Sequence, residues 1–146
     1  MALTANRELD RFVDQELRTF PVGSAVQIYK GALVGMAPAG VVRSLVAGDR
    51  FLGVAYEEAD NSSGASGDQK IRVYTSGDFV LPLTGVATSD LLKKVYATAD
   101  NTISLTAGPK SSFVGYVIGV HATNYAVVRL AGLGTLPADD LSLIHI

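Results

Sequence analysis

Between Ser24 and Leu136 no stretch keeps one apolar period for long, because Gly, Asn, Asp or Pro interrupts the chain every few residues. Ile71, Val73 and Thr75 alternate with Lys70, Arg72 and Tyr74, and after Ser76-Gly77-Asp78 the alternation resumes at Phe79, Leu81 and Leu83. A period of two places one side of each run in a core and the other in water, which is the signature of short strands. Similar runs lie at 25–30, 32–36, 41–46, 51–56, 93–97, 102–106, 113–120 and 125–130, ten in all, of which eight or nine are expected as separate strands. The class implied is all-β, a small sandwich or barrel-like domain.

Two of these stretches echo each other. Ile28-Tyr29, Ala47-Gly48-Asp49, Phe51-Leu52-Gly53-Val54 and Ile71-Arg72-Val73 return in order as Val95-Tyr96, Ala107-Gly108, Phe113-Val114-Gly115-Tyr116 and Val128-Arg129-Leu130. Two similar β units packed on each other follow from this. The run between Tyr56 and Lys70 has no counterpart in the second half and no apolar residue larger than alanine. It is expected to be a mobile insertion pointing away from the core, with Glu57, Glu58, Asp60 and Asp68 as solvated charge.

One segment departs from the β pattern. Over residues 5–20, Leu9, Phe12, Val13, Leu17 and Phe20 fall within an arc of about 140° on a helical wheel, and Pro21 and Gly23 stop the pattern. A helix so short is marginal alone and needs a surface. Glu16 falls inside the apolar arc, so either a cation meets it there or the segment is partly extended. The expected organisation is an N-terminal helical or extended arm at 1–22, a β domain at 23–136 and a tail at 137–146. Leu9, Phe12, Val13, Glu16, Leu17 and Phe20 are the candidate interface residues, facing either their own domain or a neighbouring subunit. Residues 141–146, Leu-Ser-Leu-Ile-His-Ile, match the translation of a transposon end sequence used in sequencing libraries, and read as adapter read-through outside the fold.

At 146 residues the chain is long enough for one well-buried core. With no cysteine, disulfides, thiolate metal sites and thiol catalysis are excluded. A net charge of -2 with scattered Lys and Arg gives no electrostatic footprint for nucleic acid. The longest apolar run, 113–120, falls far short of a membrane helix, and the N-terminus has no h-region of a signal peptide, so Asn61-Ser62-Ser63 reads as a coincidental sequon. His121 has no second imidazole near it once His145 is set aside with the tail, and no nucleophile elbow, phosphate loop or dinucleotide fingerprint occurs. No cofactor, metal site or catalytic constellation is expected, and the chain reads as non-enzymatic. Asp49, Asp78 and Asp100 read as turn residues. Tyrosines 29, 56, 74, 96, 116 and 125 fall at strand positions, where aromatics are favoured, and would also suit a sugar-binding face.

The order and spacing of several of these motifs resemble the head decoration, or cement, proteins of tailed bacteriophages. The resemblance spans about residues 3–133 and rests on Asn6 to Asp10, Phe20-Pro21-Val22, Tyr29 to Val34, Ala47-Gly48-Asp49 with Phe51 to Ala55, Tyr74 to Leu81, Val95-Tyr96-Ala97 and Phe113-Val114-Gly115. It implies a virion protein made in the host bacterial cytoplasm, trimeric, and bound through the phage major capsid protein to the outer capsid surface. An N-terminal arm commonly takes part in such bridging. The competing expectation is a carbohydrate- or receptor-binding β module.

Overall fold

The computed structural model describes residues 17–131. They form twelve strands: β1 (Leu17–Pro21), β2 (Val26–Ile28), β3 (Leu33–Met36), β4 (Val42–Ser44), β5 (Arg50–Ala55), β6 (Ala59–Asn61), β7 (Lys70–Tyr74), β8 (Asp78–Pro82), β9 (Lys94–Ala99), β10 (Thr102–Ser104), β11 (Ser112–Ala122) and β12 (Tyr125–Leu130), with one 3-10 turn at Thr88–Asp90. All ten alternating runs form separate strands, where eight or nine were expected, and β1 and β6 add to them.

Three antiparallel sheets result, two of five strands and one of two. The first has the order β1-β7-β5-β3-β4 and the second β8-β12-β11-β9-β10, while β2 pairs with β6. With β2 and β6 set aside, both large sheets follow one rule: the unit's first strand, then its fifth, fourth, second and third. The duplication is therefore topological as well as sequential. Even the irregularities repeat. In the first sheet Val34 pairs with Gly53 and Gly35 with Phe51, leaving Leu52 as a bulge; in the second Val95 pairs with Gly115 and Tyr96 with Phe113, leaving Val114. A Cβ on Gly53 would overlap the Tyr74 carbonyl oxygen, and one on Gly115 the Arg129 carbonyl oxygen, so each unit brings two strands together where only glycine fits.

This register corrects part of the sequence echo. Val34, not Ile28, is the counterpart of Val95, Ile71-Arg72-Val73 matches Ala126-Val127-Val128 rather than Val128-Arg129-Leu130, and Phe20-Pro21-Val22 corresponds to Leu81-Pro82-Leu83. Ile28 lies in β2, which the second unit lacks.

The units pack front to back. Leu33, Phe51 and Val54 of the first sheet share a core with Leu81, Leu83, Val95, Val114, Val117, Ala126 and Val128 of the second. The opposite side of the first sheet, with Val22, Val34, Leu52, Ile71 and Val73, forms a second core closed by Ile28 and Ala59 of the β2–β6 pair. The second unit's core face thus corresponds to the side of the first unit that β2 and β6 cover. Main-chain bonds stitch the units, from Leu33 N–H to Asp100 O at 2.9 Å and from Gly48 N–H to Lys110 O at 2.6 Å.

Two expectations change. Leu17 to Phe20 are not the end of a helix: they are extended and pair with β7 from Tyr74 to Ile71, and Phe20 packs on the second core. An isolated short helix is marginal, whereas the edge of β7 offers a ladder of unpaired main-chain groups, and Pro21 suits an edge strand. The β domain therefore begins by residue 17 rather than 23, and Val22 is fully buried within it. Leu9, Phe12, Val13 and Glu16 lie outside the described residues, as does the tail at 137–146.

The segment at 57–69 is not a free loop. It contains β6, and the buried Asn61 amide donates to the carbonyls of Val22, Gly23 and Ala65 at 3.2, 2.8 and 2.9 Å. Gly67 N–H donates to Val22 O at 2.9 Å. A composition too polar to build its own core is ordered here by hydrogen bonds to the strand beneath it. With the Asn61 side chain only 2% exposed, the Asn61-Ser62-Ser63 sequon is closed in the folded chain.

Two stability outcomes follow. Gly53→Ala and Gly115→Ala should each cost about 2–4 kcal/mol in urea unfolding, because each new methyl meets rigid main chain. Gly108→Ala, with open space around its Cα, should stay within about 0.5 kcal/mol. Asn61→Ala should cost about 1–3 kcal/mol and make residues 62–69 the first site of limited proteolysis; wild-type-like resistance would show that the amide does not order the segment.

Candidate interaction surface

The outer side of the second sheet holds a cluster of aromatic side chains. Tyr96 and Phe113 are paired across β9 and β11, with ring centroids 5.9 Å apart, and Phe113 meets Tyr116 edge-on at 5.4 Å. The Lys94 ammonium lies 5.9 Å from the Phe113 centroid. Beside them Tyr116 opposes Arg129 on β12, which pairs with Asp78 on β8. Val80 and Tyr125 stand on the same side, alternating with the buried Leu81 and Ala126. Tyr116 is 39% exposed and Val80 47%.

This surface exists because of the front-to-back packing. By register, Lys94, Phe113, Tyr116 and Arg129 are the second unit's versions of Leu33, Phe51, Val54 and Tyr74, the side chains the first unit turns toward the second. The same face of the same topology is core in one unit and surface in the other. Strands hold its side chains, so little order remains to be imposed when a partner binds, and aromatic rings bring large contact area at low rotamer cost.

Two charges on this side form an ion pair. Arg129 Nε and Nη2 donate to the two Asp78 carboxylate oxygens at 2.8 and 3.1 Å. That fork holds the Asp78 carboxyl below its ordinary value and raises Arg129. Asp78 is thus a strand residue with an ion-pair role rather than only a turn residue.

Asp49 also does more than close a turn. Its carboxylate accepts from Arg43 Nη2 at 2.6 Å and Nε at 3.0 Å and from Val46 N–H at 3.2 Å, and its carbonyl accepts the Ser112 hydroxyl from the other unit. Gly35 leaves the space that Asp49 fills, since a Cβ there would stand 2.6 Å from a carboxylate oxygen. The carboxylate raises the Arg43 guanidinium above its ordinary value, chiefly through the hydrogen bond. Sequence reading missed this hub: Arg43 and Asp49 carry no spacing that distinguishes them from other strand and turn charges.

The four acidic residues expected as solvated charge are hydrogen-bonded instead. Glu57 takes two bonds from the Arg72 guanidinium and one from Arg72 N–H, Glu58 accepts from Gln27, and Asp60 and Asp68 accept from Ser62 and Ala65 main chain. Among the described residues no group of three or more His, Cys, Asp or Glu side chains is placed to hold a metal ion. Tyr56, Tyr74 and Phe79 form a second aromatic cluster at the junction of the sheets, with Arg72 lying 4.7 Å from the Tyr56 centroid. Of the six candidate interface residues, the structure places Leu17 and Phe20 in β1 and brings neither to the aromatic surface.

Because Asp78 is depressed in the folded state, its contribution to stability is present above the unfolded carboxyl pKa and disappears as pH falls through the folded value. Asp78→Asn should therefore lower the melting temperature slightly at neutral pH, with the gap to wild type closing in acid. A gap that persists at the lowest pH would show that the ion pair is not its source. The chain matches no protein-family model, no curated protein and no solved structure.

Proposed function

We propose that this chain is a non-enzymatic virion protein that binds the outer surface of a tailed-phage capsid and stabilises it, with the phage major capsid protein as partner and a homotrimer as the assembled form. The observation that supports this most is the preformed aromatic surface on β9, β11 and β12, centred on Phe113 and Tyr116. It is joined by the ordered series of motifs that resembles the decoration family. A cement protein works by adding buried interface across joints between capsomers, and many copies on one shell turn a modest contact into high avidity. A rigid two-unit β stack serves this purpose, since a stiff bridge transmits load where a flexible one yields.

The exposed tyrosines of the same surface favour a second reading, a carbohydrate-binding module. Tyr116 and Tyr125, 39% and 46% exposed, offer ring faces of the kind on which sugars stack.

Co-sedimentation with expanded shells, assembled from the major capsid protein of the same genome, tests the proposal. Saturable binding should raise the temperature at which shells open, and Tyr116→Glu should weaken binding by about tenfold or more while leaving the monomer folded. Absence of binding by the wild-type chain would reject the capsid reading. Glycan-array binding abolished by Tyr116→Ala would replace it with the second.

A further inference from the structure

The duplication does not stop with the second unit. The first strands of the two units end on one motif, Phe20-Pro21-Val22 at β1 and Leu81-Pro82-Leu83 at β8, in matching register. Three residues, Thr75-Ser76-Gly77, lead from β7 into β8, and Gly77 has a φ of 121°, a conformation that favours glycine. By register Tyr74 corresponds to Arg129, and three residues beyond Arg129 stands Gly132. The sequence that follows, Leu133-Gly134-Thr135-Leu136-Pro137-Ala138, repeats Leu17-Arg18-Thr19-Phe20-Pro21-Val22 with leucine, threonine and proline in the same places. It also keeps the Leu-Pro of β8 at the same distance from its glycine.

We propose that residues 133–138 are a third copy of the unit's first strand and dock across the outer aromatic face of the second sheet, as β8 docks across the matching face of the first. The inference goes beyond the capsid reading and does not depend on it; any partner that uses this face must first displace the segment. Three observations carry it. The receiving face is the right one: β8 places Leu81 and Leu83 in one core with Leu33, Phe51 and Val54, whose counterparts are Lys94, Phe113 and Tyr116. The period of two is kept, since Leu136 and Ala138 take the inward places of Leu81 and Leu83, while Thr135 and Pro137 take the outward places of Val80 and Pro82. The differences are matched on both sides, because Phe79 packs on Tyr74 at 5.3 Å between ring centroids, and in the repeat Gly134 and Arg129 replace both rings together. The tether has the length that already spans this step in the first unit, so it holds the segment at a high effective concentration and a modest apolar contact suffices.

The chain contains no cysteine, so one introduced pair has no competitor. Leu33 and Leu81 line the same cavity between the units, and their counterparts are Lys94 and Leu136. In the full chain, Lys94→Cys with Leu136→Cys should form an intrachain disulfide under mild oxidation about fivefold faster or more than Lys94→Cys with Thr135→Cys, because a docked strand turns alternate residues toward and away from the face. Equal rates for the two pairs, or a disulfide found only between molecules, would overturn the proposal. In the unsubstituted full chain, the Leu136 methyls should show nuclear Overhauser contacts to ring protons of Phe113 or Tyr116, and this arm decides the question even if a cysteine variant does not fold. Absence of those contacts would overturn the proposal as well.

Discussion

Phe51 is fully buried where the two units meet, and the rest of the architecture depends on that packing. With Leu33 and Val54 it presents an apolar face to the second sheet, and with Gly53 beneath Tyr74 the strand lies close enough to β7 for the sheet to hold its shape. Fully burying side chains of this size contributes about 1.5–3 kcal/mol each. A single five-stranded sheet of this length exposes one apolar side, so each unit requires a cover. The second unit is covered by the first. The first is covered by β2 and β6, which the second lacks.

Stacking two copies of one topology front to back is an asymmetric solution with a consequence for function. A face-to-face pair would bury equivalent surfaces and leave equivalent surfaces outside. Here the face buried at Phe51 and Val54 reappears outside at Phe113 and Tyr116, with lysine and arginine where the first unit has Leu33 and Tyr74. Divergence between the halves therefore concentrates on one side of the sheet. The opposite face stays apolar in both units, with valine at Val34 and Val95 and at Val73 and Val128, although Phe20 and Ile71 match the smaller Leu81 and Ala126.

Polar order is concentrated at the joints. Asp49 ties β4 to β5 through Arg43 and reaches Ser112 of the other unit, while Asn61 fastens a polar segment to the strand below it. Both side chains are buried and fully bonded, the condition under which a polar group inside a protein specifies geometry instead of destabilising it. Surface pairs such as Arg129 with Asp78 contribute less energy and mainly fix where charge sits on the aromatic face.

By itself the sequence determined the class, the ten alternating runs, though it expected only eight or nine of them as separate strands, and the repetition of Phe-x-Gly, because a period of two and glycine at close main-chain approaches are local requirements written in local residues. It did not determine Leu17 to Phe20, where an apolar arc fits a helical wheel but a free sheet edge offers hydrogen bonds that an isolated turn of helix cannot match. Nor did it reveal β6, since Ala-Asp-Asn carries no strand signal until Asn61 finds the carbonyls of Val22 and Gly23, thirty-nine and thirty-eight residues away. The aromatic residues were legible as strand residues, but which of them reach solvent was not. That depends on which face of each sheet the other unit covers, a choice made by long-range packing, and it alone places Phe51 in the core and Tyr116 at the surface.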